Sequence, residues 1–312
     1  MRFLVTGGAG FIGSHITERI LEAGHFVRVL DNFSSGKEDN LSFVKEYADR
    51  FELIRGDICS SSTCEKATSG IDYVLHQAAL RSVPKSMEEP LNYNHVNIDG
   101  TFFILQAAAK NKVKRFVFAS SSSIYGDTNK FPEQEADYPL LVSPYALSKL
   151  AGEYYCRIFS EHFKLETICL RYFNVFGPRQ APDDEYSAVI PKFIHCFLNN
   201  QQPPIFGTGE QSRDFTYVEN VVQANIKAAL LTDVKHEVLN VACGRDNTLL
   251  NLAEILSKIM GKNIKPEFFP KRPGDVLKTL ADISKAEKVL SWKSVVGFEE
   301  GLQRTINWFK SR

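Results

Sequence analysis

The sequence predicts an α/β fold: a doubly wound parallel sheet followed by a smaller C-terminal α/β lobe. Strand-like and helix-like segments alternate through the first half. A glycine cluster sits between the first of each. After Arg171 the texture changes, with Pro178, Pro182, Pro191, Pro203, Pro204, Gly207 and Gly209 breaking up the chain. The expected division is a sheet domain over residues 1–172, rejoined by about 216–243, and a ligand-binding lobe over 173–312.

Taken in order, Arg2–Thr6 is a short apolar run and reads as a strand. Ile12–Leu21 carries apolar residues at helical spacing and stops near Gly24. Phe26–Leu30 is apolar again and ends at Asp31. Phe51–Arg55 precedes Gly56-Asp57, and Tyr73–His76 precedes Gln77-Ala78-Ala79. Phe102–Ala109 reads as a helix interior, Phe116–Ala119 and Thr167–Leu170 as buried strands. Val218–Leu231 reads as a helix, and Glu237–Ala242 as a strand able to rejoin the main sheet. Right-handed crossovers would gather the loops at the carboxyl ends of the strands, where ligands bind in such sheets.

Composition narrows the function. The 312 residues carry 37 basic and 37 acidic side chains. No global positive field exists to hold nucleic acid or an anionic membrane, so neither is an expected partner. An anionic ligand would have to be caught by a few local groups. The first strand runs straight into the glycine cluster, which leaves no room for a secretory leader. A cytoplasmic protein is expected. Cys59, Cys64, Cys156, Cys169, Cys196 and Cys243 are scattered, and none sits at metal-ligand spacing with a histidine. No metal is expected.

Gly7-Gly8-Ala9-Gly10-Phe11-Ile12-Gly13 lies where the first strand turns into the first helix. Glycines there permit a tight turn, close approach of backbone to a pyrophosphate, and close packing of helix on strand. The helix N-terminus then offers free N–H groups to the phosphates. Asp31 ends the second strand, 18 residues beyond Gly13. A carboxylate there accepts hydrogen bonds from ribose hydroxyls and repels a 2′-phosphate, which favours NAD over NADP. Asp57 could bond the adenine amine and Ile58 could cover the ring, although Gly56-Asp57 alone would be an ordinary turn. Gln77, Ala78 and Ala79 offer small residues where backbone must pass close to a cofactor. Arg81 could reach the ribose or pyrophosphate. Asn97 is a candidate tether for the neighbouring loop.

Tyr145 and Lys149 are four residues apart, on one face of a helix that Ser143 can cap and Pro144 can open. A phenol titrating near ~10 is a poor base at neutral pH. A nearby ammonium favours phenolate, so the pair could take a proton from a hydroxyl. Such a pair arises by chance in many proteins. Ser120-Ser121-Ser122-Ser123, following the Phe116–Ala119 strand, changes that reading. Hydroxyls at a strand's carboxyl end face the ligand crevice, and Ser121 or a neighbour can bond the reacting oxygen.

These residues resemble the extended short-chain dehydrogenase/reductase family, with its Rossmann-type sheet, and within it the UDP-hexose 4-epimerases, nearest the UDP-N-acetylglucosamine 4-epimerases. The resemblance runs from Thr6-Gly7-Gly8-Ala9-Gly10-Phe11-Ile12-Gly13-Ser14-His15 to Asp282-Ile283-Ser284-Lys285-Ala286. It includes Ala119–Gly126, Ser143–Lys149, Arg171–Gly177 and Ser212–Phe215. It implies Tyr145 as base and acid, Lys149 as the group that lowers its pKa and holds the nicotinamide ribose, and Ser121 as an aid to proton transfer. It adds Asn32, Gly36 and Tyr172 to the NAD set. Among substrate residues it implies Asn174 at the phosphates, backbone at Ala188 and Val189 for uracil, and Arg213 and Arg272 for the pyrophosphate. Asp275 would take the uridine ribose; Ser82, Ser122, Ser123 and Phe206 complete the set. A homodimer is implied, paired through helices at about 97–110 and 145–163.

Departures from the family pattern narrow the chemistry. Related 4,6-dehydratases carry Asp-Glu where this chain has Ser122-Ser123, and the decarboxylases' usual nearby glutamate is missing. UDP-glucuronate 4-epimerases share the serine run but tend to have threonine at the Asn174 position. Four positions after Asp275 stands Thr279, where glucose-restricted epimerases tend to carry tyrosine. The small residue implies acceptance of an acetamido group.

Overall fold

The computed structural model describes residues 1–181, 189–271 and 276–312. Seven strands form the main sheet. In spatial order they are His236–Val241, β6 (Glu166–Tyr172), β5 (Arg115–Ser121), β4 (Tyr73–His76), β1 (Arg2–Thr6), β2 (Phe26–Asp31) and β3 (Phe51–Arg55). Every pairing is parallel. This is the Rossmann-like order, and it reverses between β1 and β4, which opens a crevice at their carboxyl ends. Both faces are covered, so β1, β2 and β6 are almost wholly buried and mainly apolar, without a polar face alternating with an apolar one.

Helices of residues Phe11–Glu22, Gly100–Lys110, Pro144–His162 and Val218–Leu230 flank the sheet. Ser143 caps its helix by accepting from the Ala146 N–H at 3.1 Å, and Pro144 opens the first turn. The strand expected at Phe116–Ala119 extends to Ser121, because Ser120 and Ser121 pair with Arg171 and Tyr172 of β6. The first two serines of the run, expected just after the strand, thus form its carboxyl end. Asn97 lies within a π-helical turn, His95–Asp99, that joins two helical segments.

The seventh strand, His236–Val241, comes from beyond the texture change and pairs with β6. The rest of the described chain beyond Tyr172 forms three two-stranded sheets and four helices. Val175–Phe176 pairs with Thr216–Tyr217, Ser212–Arg213 with Asn247–Thr248, and Pro204–Phe206 with Glu267–Phe269. One apolar cluster joins Val29 and Leu170 of the sheet to Phe193, Leu252 and Leu302 of these elements. A long excursion after β5 returns to dock on the C-terminal segment: the Glu133 N–H donates to Leu280 at 2.7 Å and the Asp282 N–H to Glu133 at 2.9 Å. Sequence periodicity gave no sign of that contact. Among the described residues no helix is long and apolar enough to cross a membrane. None of their His, Cys, Asp and Glu side chains gather in a group able to hold a metal ion.

Candidate active site

A cleft opens at the switch point. It is lined by Gly7, Gly10, Phe11, Ile12 and Gly13, by Asp31, Asn32 and Gly36, by Asp57 and Ile58, by Gln77, Ala78, Ala79 and Arg81, and by Tyr145, Lys149 and Tyr172. Gly7 takes φ +68°, and a Cβ on it would stand 2.7 Å from the Ala78 nitrogen. A Cβ on Gly13 would drive into the Gly7 carbonyl. The backbone is thus bare where a diphosphate would lie, next to the start of the Phe11–Glu22 helix. These residues fit a dinucleotide.

The buried Asp31 carboxylate accepts from the Ala9 N–H and the Phe33 N–H, both at 2.8 Å. It therefore ties the glycine loop to the end of β2 as well as facing the cleft. Asn32 donates to Asp57 at 2.8 Å, and the Cys59 N–H does the same. Partial burial would raise the Asp57 pKa, but these donors hold it below the ordinary carboxylate value. Tyr172 donates to Gln77 at 3.1 Å, and Gln77 donates to Asn225 at 3.1 Å. Asn97 does not line the cleft. Its amide bonds both the N–H and the carbonyl of Leu80 and the Ser148 hydroxyl, which tethers the loop between Gln77 and Arg81 to the Tyr145 helix.

Sequence reasoning missed several lining residues, including Asn40, Arg179 and Ala181. Asn40 donates to the Ala9 carbonyl at 2.9 Å. Arg179 pairs with Glu18 at 2.7 Å, while His15 contacts the Pro178 carbonyl at 2.9 Å. Those contacts span more than 160 positions, beyond the reach of local pattern.

Tyr145 and Lys149 enter from the Pro144–His162 helix, beside the Ser121 end of β5. Burial raises the Tyr145 pKa; the Ser121 hydroxyl and the Arg81 charge pull it down, and Tyr93 adds to the rise. Lys149 stands one turn further along the same helix. Its ammonium donates to the Ala119 carbonyl at 2.8 Å and lies 5.9 Å from the Tyr145 ring centre. Burial pulls Lys149 itself down to about 8. Tyr93, edge-on to Tyr145 with ring centres 6.4 Å apart, was absent from the sequence reading; its hydroxyl accepts from the Ser82 N–H at 3.0 Å. Beneath the site Ser120 donates to Glu153 at 2.5 Å, and Arg171 grips the same carboxylate at 2.8 and 2.9 Å.

The described residues expected at the substrate are not among those lining this cleft. Ser121 accepts from the Ser123 N–H at 3.2 Å and so caps the short turn of Ser122, Ser123 and Ile124. The Ser123 hydroxyl is enclosed with no hydrogen-bond partner among the described residues. Ser82 caps the Val83–Glu88 helix. Thr279 donates to the Asn174 side-chain oxygen at 3.0 Å. Arg213 donates to the Ser212 carbonyl at 2.8 Å. Phe206 packs on Phe269 with centres 5.4 Å apart. Val189 begins the Val189–Leu198 helix. Ala188, Arg272 and Asp275 lie outside the described residues.

The family model described as "NAD dependent epimerase/dehydratase family" matches residues 3–242. The chain belongs to this family. It is an NAD-dependent isomerase, with NAD as its cofactor. It is 38% identical to a putative UDP-glucose 4-epimerase of Methanocaldococcus jannaschii, over 99% of this chain and 98% of that one. It is 36% identical to a UDP-glucuronate 4-epimerase of Thermodesulfobacterium geofontis, over 99% and 96%. A solved structure of UDP-N-acetylglucosamine 4-epimerase from Methanobrevibacter ruminantium M1, in complex with UDP-N-acetylmuramic acid, matches with a TM-score of 0.95 and 43% identity. That match covers 99% of this chain and 98% of the other.

Proposed function

We propose that the protein inverts C4 of UDP-hexoses, interconverting UDP-N-acetylglucosamine with UDP-N-acetylgalactosamine and, less well, UDP-glucose with UDP-galactose. The observation that carries this reading is the convergence of Ser121, Tyr145 and Lys149 at one end of a cleft that fits a dinucleotide. Tyr145 takes the C4 hydroxyl proton and later returns it; Ser121 bonds the same oxygen. NAD, held by the residues that line the cleft, would supply the hydride acceptor and donor for C4. The 4-keto sugar turns about its phosphate linkage between the two transfers, so the net reaction is redox-neutral. Asn174, Arg213 and Ser123 supply polar groups for the nucleotide and sugar.

The acetamido preference rests on Thr279, a small residue beside Asn174. The test is a panel of UDP-glucose, UDP-N-acetylglucosamine and UDP-glucuronate, with product masses. Epimerisation leaves the mass unchanged; loss of carbon dioxide or water would refute it. Tyr145→Phe should lower kcat by about 10²–10⁴-fold, the ordinary weight of acid–base catalysis. A parent that leaves every sugar of the panel unchanged would favour a cofactor-binding scaffold, and a fully active Tyr145→Phe would move the acid–base role to another residue.

We also propose that residues 1–172, with the returning segment 216–243, form the NAD-binding unit, and that the rest of 173–312 forms the UDP-sugar lobe. A homodimer fits the surface of the Pro144–His162 helix. Leu147, Tyr154 and Ile158 recur on one face and are all exposed, with Leu91 85% exposed nearby. Light scattering on the parent and on Leu147→Glu tests it: the parent should run as a dimer and the variant as a monomer.

A further inference from the structure

We infer that Thr279 is a positioning residue: through its hydroxyl it holds the Asn174 amide with the nitrogen turned toward the substrate diphosphate. This rests on the reading of the site as one for a UDP-sugar. It assigns Thr279 a second task, distinct from leaving room for the sugar.

The argument starts from the hydrogen bonds. The Thr279 oxygen accepts from the Asp214 N–H at 3.2 Å. The Thr279 hydroxyl donates to the Asn174 side-chain oxygen at 3.0 Å. A hydroxyl has one proton to give, and a backbone N–H can only donate. With the Asp214 N–H on one lone pair, the hydroxyl proton is free to point at the Asn174 side chain, whose oxygen faces it. The Asn174 amide therefore presents its oxygen to Thr279 and its NH₂ group elsewhere. No described residue accepts from that nitrogen. Asn174 is exposed and takes φ +33°, so its backbone too is held in an uncommon conformation.

The relay is anchored at both ends. Asp214 is fully buried, and its carboxylate accepts from the N–H groups of Cys243, Gly244 and Ala281 at 2.8, 2.9 and 3.3 Å. Ala281 lies two residues from Thr279, whose own N–H donates to the Ser212 carbonyl at 3.1 Å. Thr279 is thus fixed before Asn174 meets it. At the other end the Asn174 carbonyl accepts from Thr216 at 3.2 Å. An amide whose oxygen is turned to Thr279 presents its NH₂ donors to a ligand on the other side. That suits phosphate oxygens and opposes a donor-rich group. If the amide were free to rotate, part of the binding energy would go to ordering it.

Thr279→Val keeps the shape and removes the hydroxyl; Thr279→Ser keeps the hydroxyl. Calorimetric titration with UDP and steady-state kinetics with UDP-hexoses read the effect. For Thr279→Val we expect the UDP dissociation constant and KM to rise about 5- to 20-fold with kcat within about threefold. Thr279→Ser should stay near the parent. Melting curves check the fold, and the double mutant guards against a merely structural loss. In an Asn174→Ala background Thr279→Val should cost little further affinity, because Thr279 acts through Asn174. Equal effects of Val and Ser, or full additivity with Asn174→Ala, would overturn the inference while leaving the epimerase reading intact. A parent protein that bound no UDP would overturn both.

Discussion

Lys149 gives its ammonium to the main-chain carbonyl of Ala119, at 2.8 Å, across the gap between the Tyr145 helix and β5. Burial brings its pKa down to about 8, so the group changes charge near working pH.

Two consequences of that titration can be measured. In the cofactor-free protein, Lys149 loses its proton near pH 8, whereas the unfolded chain keeps it until its ordinary value near ~10.4. Between these values the unfolded state binds more protons, so this group makes stability rise with pH there. Bound cofactor brings negative phosphates, which favour the ammonium, so NAD should be held less tightly as pH climbs through 8. Retained NAD after gel filtration should decline between about pH 7 and about pH 9.5 in the parent and be uniformly low in Lys149→Met. A parent whose NAD content ignores pH would place Lys149 away from the cofactor.

Much of this site was legible because its pieces carry local signatures. Gly7–Gly13 and Asp31 announce themselves by position relative to β1 and β2, and Tyr145 and Lys149 by helical spacing behind a Ser-Pro start. What was not legible depends on contacts between distant segments. Arg179 reaches Glu18, Tyr93 lies against Tyr145, and Glu133 docks on Leu280; no periodicity encodes them. The acceptor that holds Lys149 was hidden for a related reason. Helical spacing put the two on one face, but the acceptor that takes the ammonium belongs to a neighbouring strand.

Asp31 offers a second test. Its carboxylate serves the glycine loop through Ala9 and the chain after β2 through Phe33. Asp31→Ala should remove both bonds, together with the ribose contact and the repulsion of a 2′-phosphate. Hydrogen bonds to a charged acceptor are worth about 1.5–3 kcal/mol each. NAD affinity should fall by at least about tenfold, and the preference over NADP should shrink. Equilibrium titration of both cofactors reads the two effects; unchanged discrimination would mean the ribose lies elsewhere.

The Glu153–Arg171 pair is buried on both sides, each side chain 5% exposed. Glu153 lies one turn beyond Lys149 and also accepts from Ser120 at 2.5 Å, so it pins the Tyr145 helix to β5 and β6 at once. Removing one partner leaves a buried charge without compensation, at a cost of about 3–5 kcal/mol. Arg171→Met should lose that much in urea unfolding. Glu153→Gln with Arg171→Met should recover a good part of it, since no charge is then stranded. A loss under about 1 kcal/mol for Arg171→Met would show that the pair is solvated in solution.

The last prediction separates the two tasks assigned to Thr279. It is 7% exposed and bonded to Asn174, so any larger residue meets the amide and, on the proposed placing of the substrate, the sugar as well. Thr279→Tyr places a ring where the acetamido group would sit, and its distant hydroxyl cannot replace the bond to Asn174. Affinity for every UDP-sugar should therefore drop, and N-acetylated sugars should suffer more. The informative quantity is the ratio of kcat/KM for UDP-N-acetylgalactosamine to that for UDP-galactose. Thr279→Tyr should lower this ratio about 10- to 100-fold, because forcing extra volume into a packed site costs about 1–3 kcal/mol and only the larger sugar competes for the space. Thr279→Val should leave the ratio within about threefold, since it changes a hydrogen bond common to all UDP-sugars and almost no volume. If Thr279→Tyr depressed both substrates equally, Thr279 would act on the nucleotide alone, and the acetamido preference would lose its structural support.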